Sequence, residues 1–276
     1  MKNKNLALKL TESAMMIALA TILSFLKLAN LPYGGSITIA SMLPILVVAV
    51  RYGVPWGLFT GLVHGTLQFI IDPSPLSYFS DAKSIVAIVV LDYLLAFSFI
   101  GLGGVVRKIK NPAASLTVGA VIAGVIRYIC HVISGATVWA GLSIPTSAAL
   151  IYSFIYNATY MLPETLVLVC AAYFIATSVD FRSQRLAPAK RGERRVSAFK
   201  VISVAAFMAA LIYDIAAVFD KLQNAETGEF DITGIAQVNW MVVAIVTAVG
   251  VAVSLVMVLV ERNTKPSPGG TGESFH

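Results

Sequence analysis

The chain has 276 residues, of which 58% are hydrophobic and 12% charged, with a mean hydropathy of +0.83 and a formal net charge of +6. Soluble domains carry about twice that charged fraction, so a water-soluble globular fold is excluded and the bilayer must serve as solvent. The positive charge is distributed along loops between apolar runs, so nucleic acid is not an expected partner and membrane lipid is.

A helix needs about 20 apolar residues to cross the hydrocarbon core. That requirement predicts eight spans, at 10–30, 37–51, 54–72, 84–106, 114–138, 147–178, 198–220 and 236–260. The basic N-terminus MKNKNLALKLTES precedes a run of spanning length without a small-residue cleavage site, so it reads as the start of the first span and not as a signal peptide. The second span is short, between Pro44 and Arg51. The sixth is long, and Pro163 is expected to kink it. Cys130 and Cys170 lie inside apolar runs without metal-ligand spacing and read as small packing residues. The expected organisation is an all-α polytopic membrane protein: a six-span bundle over 1–179, a basic linker over 180–197, a two-span extension over 198–262 and a disordered tail over 263–276.

Orientation follows from Lys and Arg in alternating loops. Sixteen fall on one side: Lys2, Lys4, Lys9, Arg51, Arg107, Lys108, Lys110, the seven from Arg182 to Lys200, Arg262 and Lys265. The other side has Lys27, Lys83 and Lys221, and Arg127 lies within a span. Both termini are therefore expected in the cytoplasm of a multi-pass plasma-membrane protein.

Polar side chains at membrane depth need a reason to be there. Counted along the spans at a rise of about 1.5 Å per residue, Asp92, Tyr93, His131, Trp139, Tyr152 and Asn157 fall at similar depths in the outer half. His131 and Trp139 are eight apart and can share a face, whereas the five-residue step from Tyr152 to Asn157 fits one face less well. A carboxylate in a low-dielectric cavity needs a cation, and aromatic rings favour a flat one. Asn, Tyr and His add donors and acceptors for a heterocycle's edge. A small aromatic cation fits this set. The alternatives are an internal pair of Asp92 with Arg127, a pair of Arg127 with Glu164, His131 as a helix-linking residue and Trp139 as an interfacial aromatic.

Several stretches carry a resemblance: LPYGGSITIASMLPI (31–45), GLVHG (61–65), LDYLLAF (91–97), RYICHVISGATVWA (127–140) and YSFIYNATYMLPE (152–164). Over roughly residues 8–178 the chain resembles the thiamine-specific substrate-binding subunit, or S component, of energy-coupling factor transporters. The resemblance implies a six-helix bundle that binds thiamine near its outer face under a mobile loop. Carried over by position, it implies binding roles for Asp92, Tyr93, His131, Trp139, Tyr152 and Asn157. His64 in GLVHG and Tyr78 in the outer loop at 70–83 are further expected contacts. Asp92 stands where some members have Glu. A small-xxx-small pattern that docks the coupling membrane subunit falls on Ala14 and Ala18, and small residues there allow close helix approach. The implied partners are thiamine, that coupling subunit and two ABC-type ATPase subunits, because the chain has no GxxxxGK[ST] phosphate loop of its own. No cofactor is expected. An alternative is a carrier for a thiamine precursor or another small cationic heterocycle, acting alone by ion coupling. An enzyme is disfavoured: paired Asp-rich motifs and HExxH are missing, and no GxSG accompanies Ser134 beside His131.

Overall fold

The computed structural model describes residues 2–31, 34–140, 149–183, 186–188, 197–222 and 232–264, with the side chains of 2–5, 188 and 232 outside that description. The expected disordered tail lies almost wholly outside the described residues, as does most of the linker. Eight helical segments carry the fold: α1 Lys2–Phe25, α2 Leu43–Tyr52, α3 Val54–Ile71, α4 Ala82–Lys108, α5 Pro112–Thr137, α6 Ala149–Ser178, α7 Ala198–Leu222 and α8 Trp240–Thr264. All but α2 are long and apolar enough to cross a membrane. The protein is a multi-pass membrane protein.

The first two expected spans are the ones redrawn. α1 ends at Phe25 instead of residue 30, and Lys27–Asn30 (β1) pairs antiparallel with Ser36–Thr38 (β2). Gly34 turns the chain between these strands at φ +97°, a conformation that costs a Cβ-bearing residue. α2 then has ten residues, rising about 15 Å, half of what a span needs. Its residues 43–50 are all buried, so neighbouring helices and not lipid surround it. Non-helical backbone at such depth survives only if its polar groups are paired. Here the Leu31 N–H donates to the Gly35 carbonyl (2.7 Å), Ile39 N–H to the Leu26 carbonyl (3.0 Å) and Thr38 N–H to a Glu164 carboxylate oxygen (2.6 Å).

α3 packs flush on α4 because of GLVHG and the glycine before it. A Cβ at Gly61 would stand 2.3 Å from the Phe97 carbonyl oxygen, so only glycine permits the approach. His64 lies on this same buried stripe. α4 opens on Asp81, which accepts from the Ser84 backbone N–H at 2.9 Å; that bond holds its carboxyl below the usual carboxylate range. α4 is not a uniform helix. Ala82–Ile88 is α-helical, Val89–Leu95 is a π-helix, and Phe99–Lys108 tightens to 3₁₀. Pro163 sits inside α6, which continues from Ala149 to Ser178.

The main core joins α1, α2, α4, α5 and α6 through Ala20, Leu46, Ile100, Leu116 and Leu168. A second cluster lies behind the ribbon, where Ile215 and Phe219 of α7 pack with Leu31, Ile37, Tyr160 and Met161. α8 touches mainly α7: Gly250 faces Ala210, the Ser203 and Ser254 hydroxyls bond at 2.7 Å, and Thr247 donates to the Asp214 carboxylate at 2.5 Å.

The chain ends of these helices collect cations at one end of the bundle. Arg51, closing α2, pairs with Glu12 of α1 at 2.7 Å and donates to the Phe181 and Ser183 carbonyls beyond α6. Arg182 donates to the carbonyls of Ile109 and Lys110 just before α5. Lys200 and Glu261 face each other at 3.8 Å. The ribbon and the Ser74–Tyr78 turn occupy the opposite end.

Candidate functional site

Between the ribbon, α4, α5 and α6 lies a cavity of about 150 Å³. The π-helical turn of α4 supplies Asp92 and Tyr93; such widened turns recur at functional sites because they re-aim side chains that a regular helix would spread apart. α5 supplies Arg127, His131, Gly135 and, just past its end, Trp139, a repeat of four that keeps one helix face on the cavity. α6 supplies Tyr156, Asn157 and Tyr160.

Asp92 is the electrostatic centre. One carboxylate oxygen meets His131 Nδ1 at 2.8 Å, and the other accepts from Ser134 Oγ at 2.6 Å and from Trp139 Nε1 at 3.5 Å. The Asp92 side chain is 17% exposed. With Nδ1 turned to the carboxylate, His131 presents Nε2 as its other ring nitrogen, and that atom is buried with no partner among the described residues. Trp139 stands against Phe79 (ring centroids 4.8 Å, 82°) and Tyr78 (5.8 Å), which makes one wall aromatic.

The cavity floor is a second polar cluster. Glu164, 1% exposed, accepts from the Thr38 N–H and from Thr38 Oγ1 at 2.7 Å and faces Arg127 at 3.8 Å. The Arg127 guanidinium also lies over the Phe97 ring at 4.4 Å. Asp92 therefore pairs with His131 and Arg127 with Glu164; of the alternatives open from sequence, the Asp92–Arg127 pair is the one that does not form. At the rim, Lys27 and Asp72 are exposed, and Gln68 donates to Ser24 Oγ at 3.1 Å.

Of the residues singled out from sequence, Asp92, Tyr93, His131, Trp139 and Asn157 line the cavity. Two of these also do structural work. The Tyr93 hydroxyl donates to the Asp72 carbonyl (2.8 Å), and the Asn157 amide is bonded to Ser153 and to the Tyr160 hydroxyl (2.5 Å). Tyr152 lies outside the lining, packed on the cluster of Phe79, Tyr93 and Trp139, as the five-residue step from Asn157 suggested. Tyr78 lies outside the lining and stands against Trp139. His64 is displaced from it altogether: fully buried, it meets Phe97 edge-on at 5.2 Å and lies 3.5 Å from Thr21 Oγ1, linking α1, α3 and α4. Its glycine-bearing stripe faces α4 and not the cavity, which is the physical reason. The sequence reading passed over Tyr156, Tyr160 and Ser134 as site residues. Tyr160 is three residues from Asn157, and Ser134 is three from His131, so helical spacing alone points to both.

A family model described as thiamine transporter protein matches residues 10–182, ending before α7. The thiamine transporter ThiT of Bacillus subtilis (strain 168) is 35% identical over 175 residues, covering 59% of this chain and 86% of that protein. A solved structure of ThiT from Listeria monocytogenes matches with a TM-score of 0.51 at 29% identity, covering 61% of this chain and 92% of that one.

Proposed function

Given that the chain belongs to the thiamine transporter protein family, we propose that it is the thiamine-capturing membrane subunit of an energy-coupling factor importer. The observation that carries this reading is Asp92: a carboxylate held by Ser134 and His131 in a partly aromatic cavity, with no Lys or Arg paired to it among the described residues. A flat cation supplies the missing charge, and the ring systems add about 0.5–2 kcal/mol per favourable cation–π contact. Thiamine meets both demands. Its thiazolium ring is the cation, and its aminopyrimidine has N–H donors for an acceptor such as His131 Nε2.

The cavity opens outward in this reading and the cation-rich end faces the cytoplasm, since Lys and Arg are retained on that side. Thiamine enters past the rim at Lys27 and Asp72 and stacks against Trp139 and its neighbours. The ribbon side then closes over it. Residues 1–179 form the binding unit, joined by the basic linker to the two-helix extension. Transport is driven by two ATPase subunits acting through a coupling membrane subunit. Ala14 and Ala18 are exposed on α1 beside Met15 and Leu19, a face open to such a partner. Binding and not catalysis is the chain's task.

The decisive measurement is titration calorimetry with thiamine on the purified protein. Wild type should bind, and Asp92→Asn should lower affinity by roughly tenfold or more, because a buried cation loses its counter-charge. Equal affinities would remove Asp92 from the site, and no binding by wild type would end the thiamine reading.

A further inference from the structure

A second concave site lies at the cation-rich end, away from the thiamine cavity. It is a cleft of about 460 Å³ into which Lys9, Arg51, Arg107 and Arg182 all face. Among the described residues no acidic side chain lines it, and the neighbouring carboxylate of Glu12 is taken by Arg51 and Tyr52. Two of the four cations are committed to the fold: Arg51 to Glu12 and to backbone carbonyls, and Arg182 to the carbonyls of Ile109 and Lys110. The other two are uncommitted. Lys9 Nζ lies over the Tyr52 and Trp56 rings at 5.3 and 5.8 Å, and neither it nor Arg107 has a hydrogen-bond acceptor among the described residues. The linker that follows Ser183 supplies no compensation on balance, carrying Arg185, Lys190, Arg191, Arg194 and Arg195 against Glu193 alone.

The rest of the cleft selects among anions. Leu8, Val50 and Phe181 share its walls, and it sits where helices that cross the membrane end. Beside it, Leu6 and Leu10 on α1 are each 50% exposed and Val105 on α4 is 64% exposed. A free phosphate ion would gain only the cations. A phospholipid gains the cations through its headgroup and the apolar flank through its chains. We propose that this cleft binds the headgroup of an anionic phospholipid, with the phosphate held by Lys9 and Arg107 and the acyl chains along the exposed faces of α1 and α4. Basic pockets between membrane helices have this chemistry in general.

The test uses the full chain purified in detergent with phosphatidylcholine, titrated with phosphatidylglycerol, and reads both retained lipid by native mass spectrometry and the melting temperature. Phosphatidylglycerol should be retained selectively and raise the melting temperature, and both effects should weaken with salt. The double variant Lys9→Gln, Arg107→Gln should bind it about 30-fold more weakly, and each single variant about fivefold. An unchanged melting temperature of the variants in phosphatidylcholine alone shows that they fold; if the double variant does not, the single variants decide. Equal retention of phosphatidylcholine, the full effect from inorganic phosphate, or undiminished phosphatidylglycerol binding by the variants would each overturn the assignment.

Discussion

Two carboxylates beside the cavity, Asp92 and Glu164, sit at membrane depth with different supports. Asp92 keeps part of its surface open to a cavity and is met by a neutral-capable imidazole and a hydroxyl. Glu164 is closed in, with Thr38 and Arg127 filling its coordination. The first arrangement leaves room for an incoming cation, whereas in the second the carboxylate is bonded by Thr38 and faces Arg127 at 3.8 Å. Removing one member of a buried ion pair costs up to about 3–5 kcal/mol, because the abandoned charge stays buried. Glu164→Ala should therefore lower unfolding stability by that order in a denaturant titration, and it should free the β2 strand from α6. A loss below about 1 kcal/mol would mean that Arg127 finds another partner or reaches water.

At the level of elements, the ribbon is the unusual part. It stands where a helix would continue, and α7 braces it from behind through Ile215 and Phe219. Since Tyr160 belongs to the same cluster and lines the cavity, the two-helix extension touches the cavity wall even though it lies beyond the family match. Phe219, 6% exposed, is the largest α7 side chain in that contact. Phe219→Ala should leave a void behind the ribbon and cost up to about 3–5 kcal/mol of packing. The expected sign is faster backbone hydrogen exchange over residues 27–38 with little change in α3 or α5. Unaltered exchange there would mean that the ribbon holds its place without α7.

For the whole molecule, the proposed function separates uptake into capture by this chain and drive by its partners. α1 carries an apolar face that the bundle leaves open, with Met15 65% and Ile22 60% exposed around Ala14 and Ala18. A bulky residue there should block approach of a partner helix while leaving the cavity, on the other side of the bundle core, intact. Ala14→Trp is accordingly expected to abolish thiamine uptake by cells and to leave thiamine binding by the purified protein unchanged. Retained uptake would discard this docking face, and loss of binding along with uptake would point to misfolding instead.

Composition and span-length apolar runs by themselves determined that the chain is helical and membrane-embedded, because a bilayer admits few ways to satisfy a backbone. The cation count by loops likewise matched the end at which Arg51, Arg182 and Lys200 gather, since charge confined to loops is readable without coordinates. Depth counting brought Asp92, His131 and Trp139 to one level, and they do meet. Tertiary structure decided what counting along single helices cannot. Residues 27–30 and 36–38 pair as a ribbon because their polar backbone finds partners in Glu164 and in each other. The π-turn sets the facing of Asp92, and GLVHG turns His64 toward α4 instead of the cavity. Which of two acids meets which of two bases depends on how three helices are rotated against one another, and that is a property of their packing and not of any one segment.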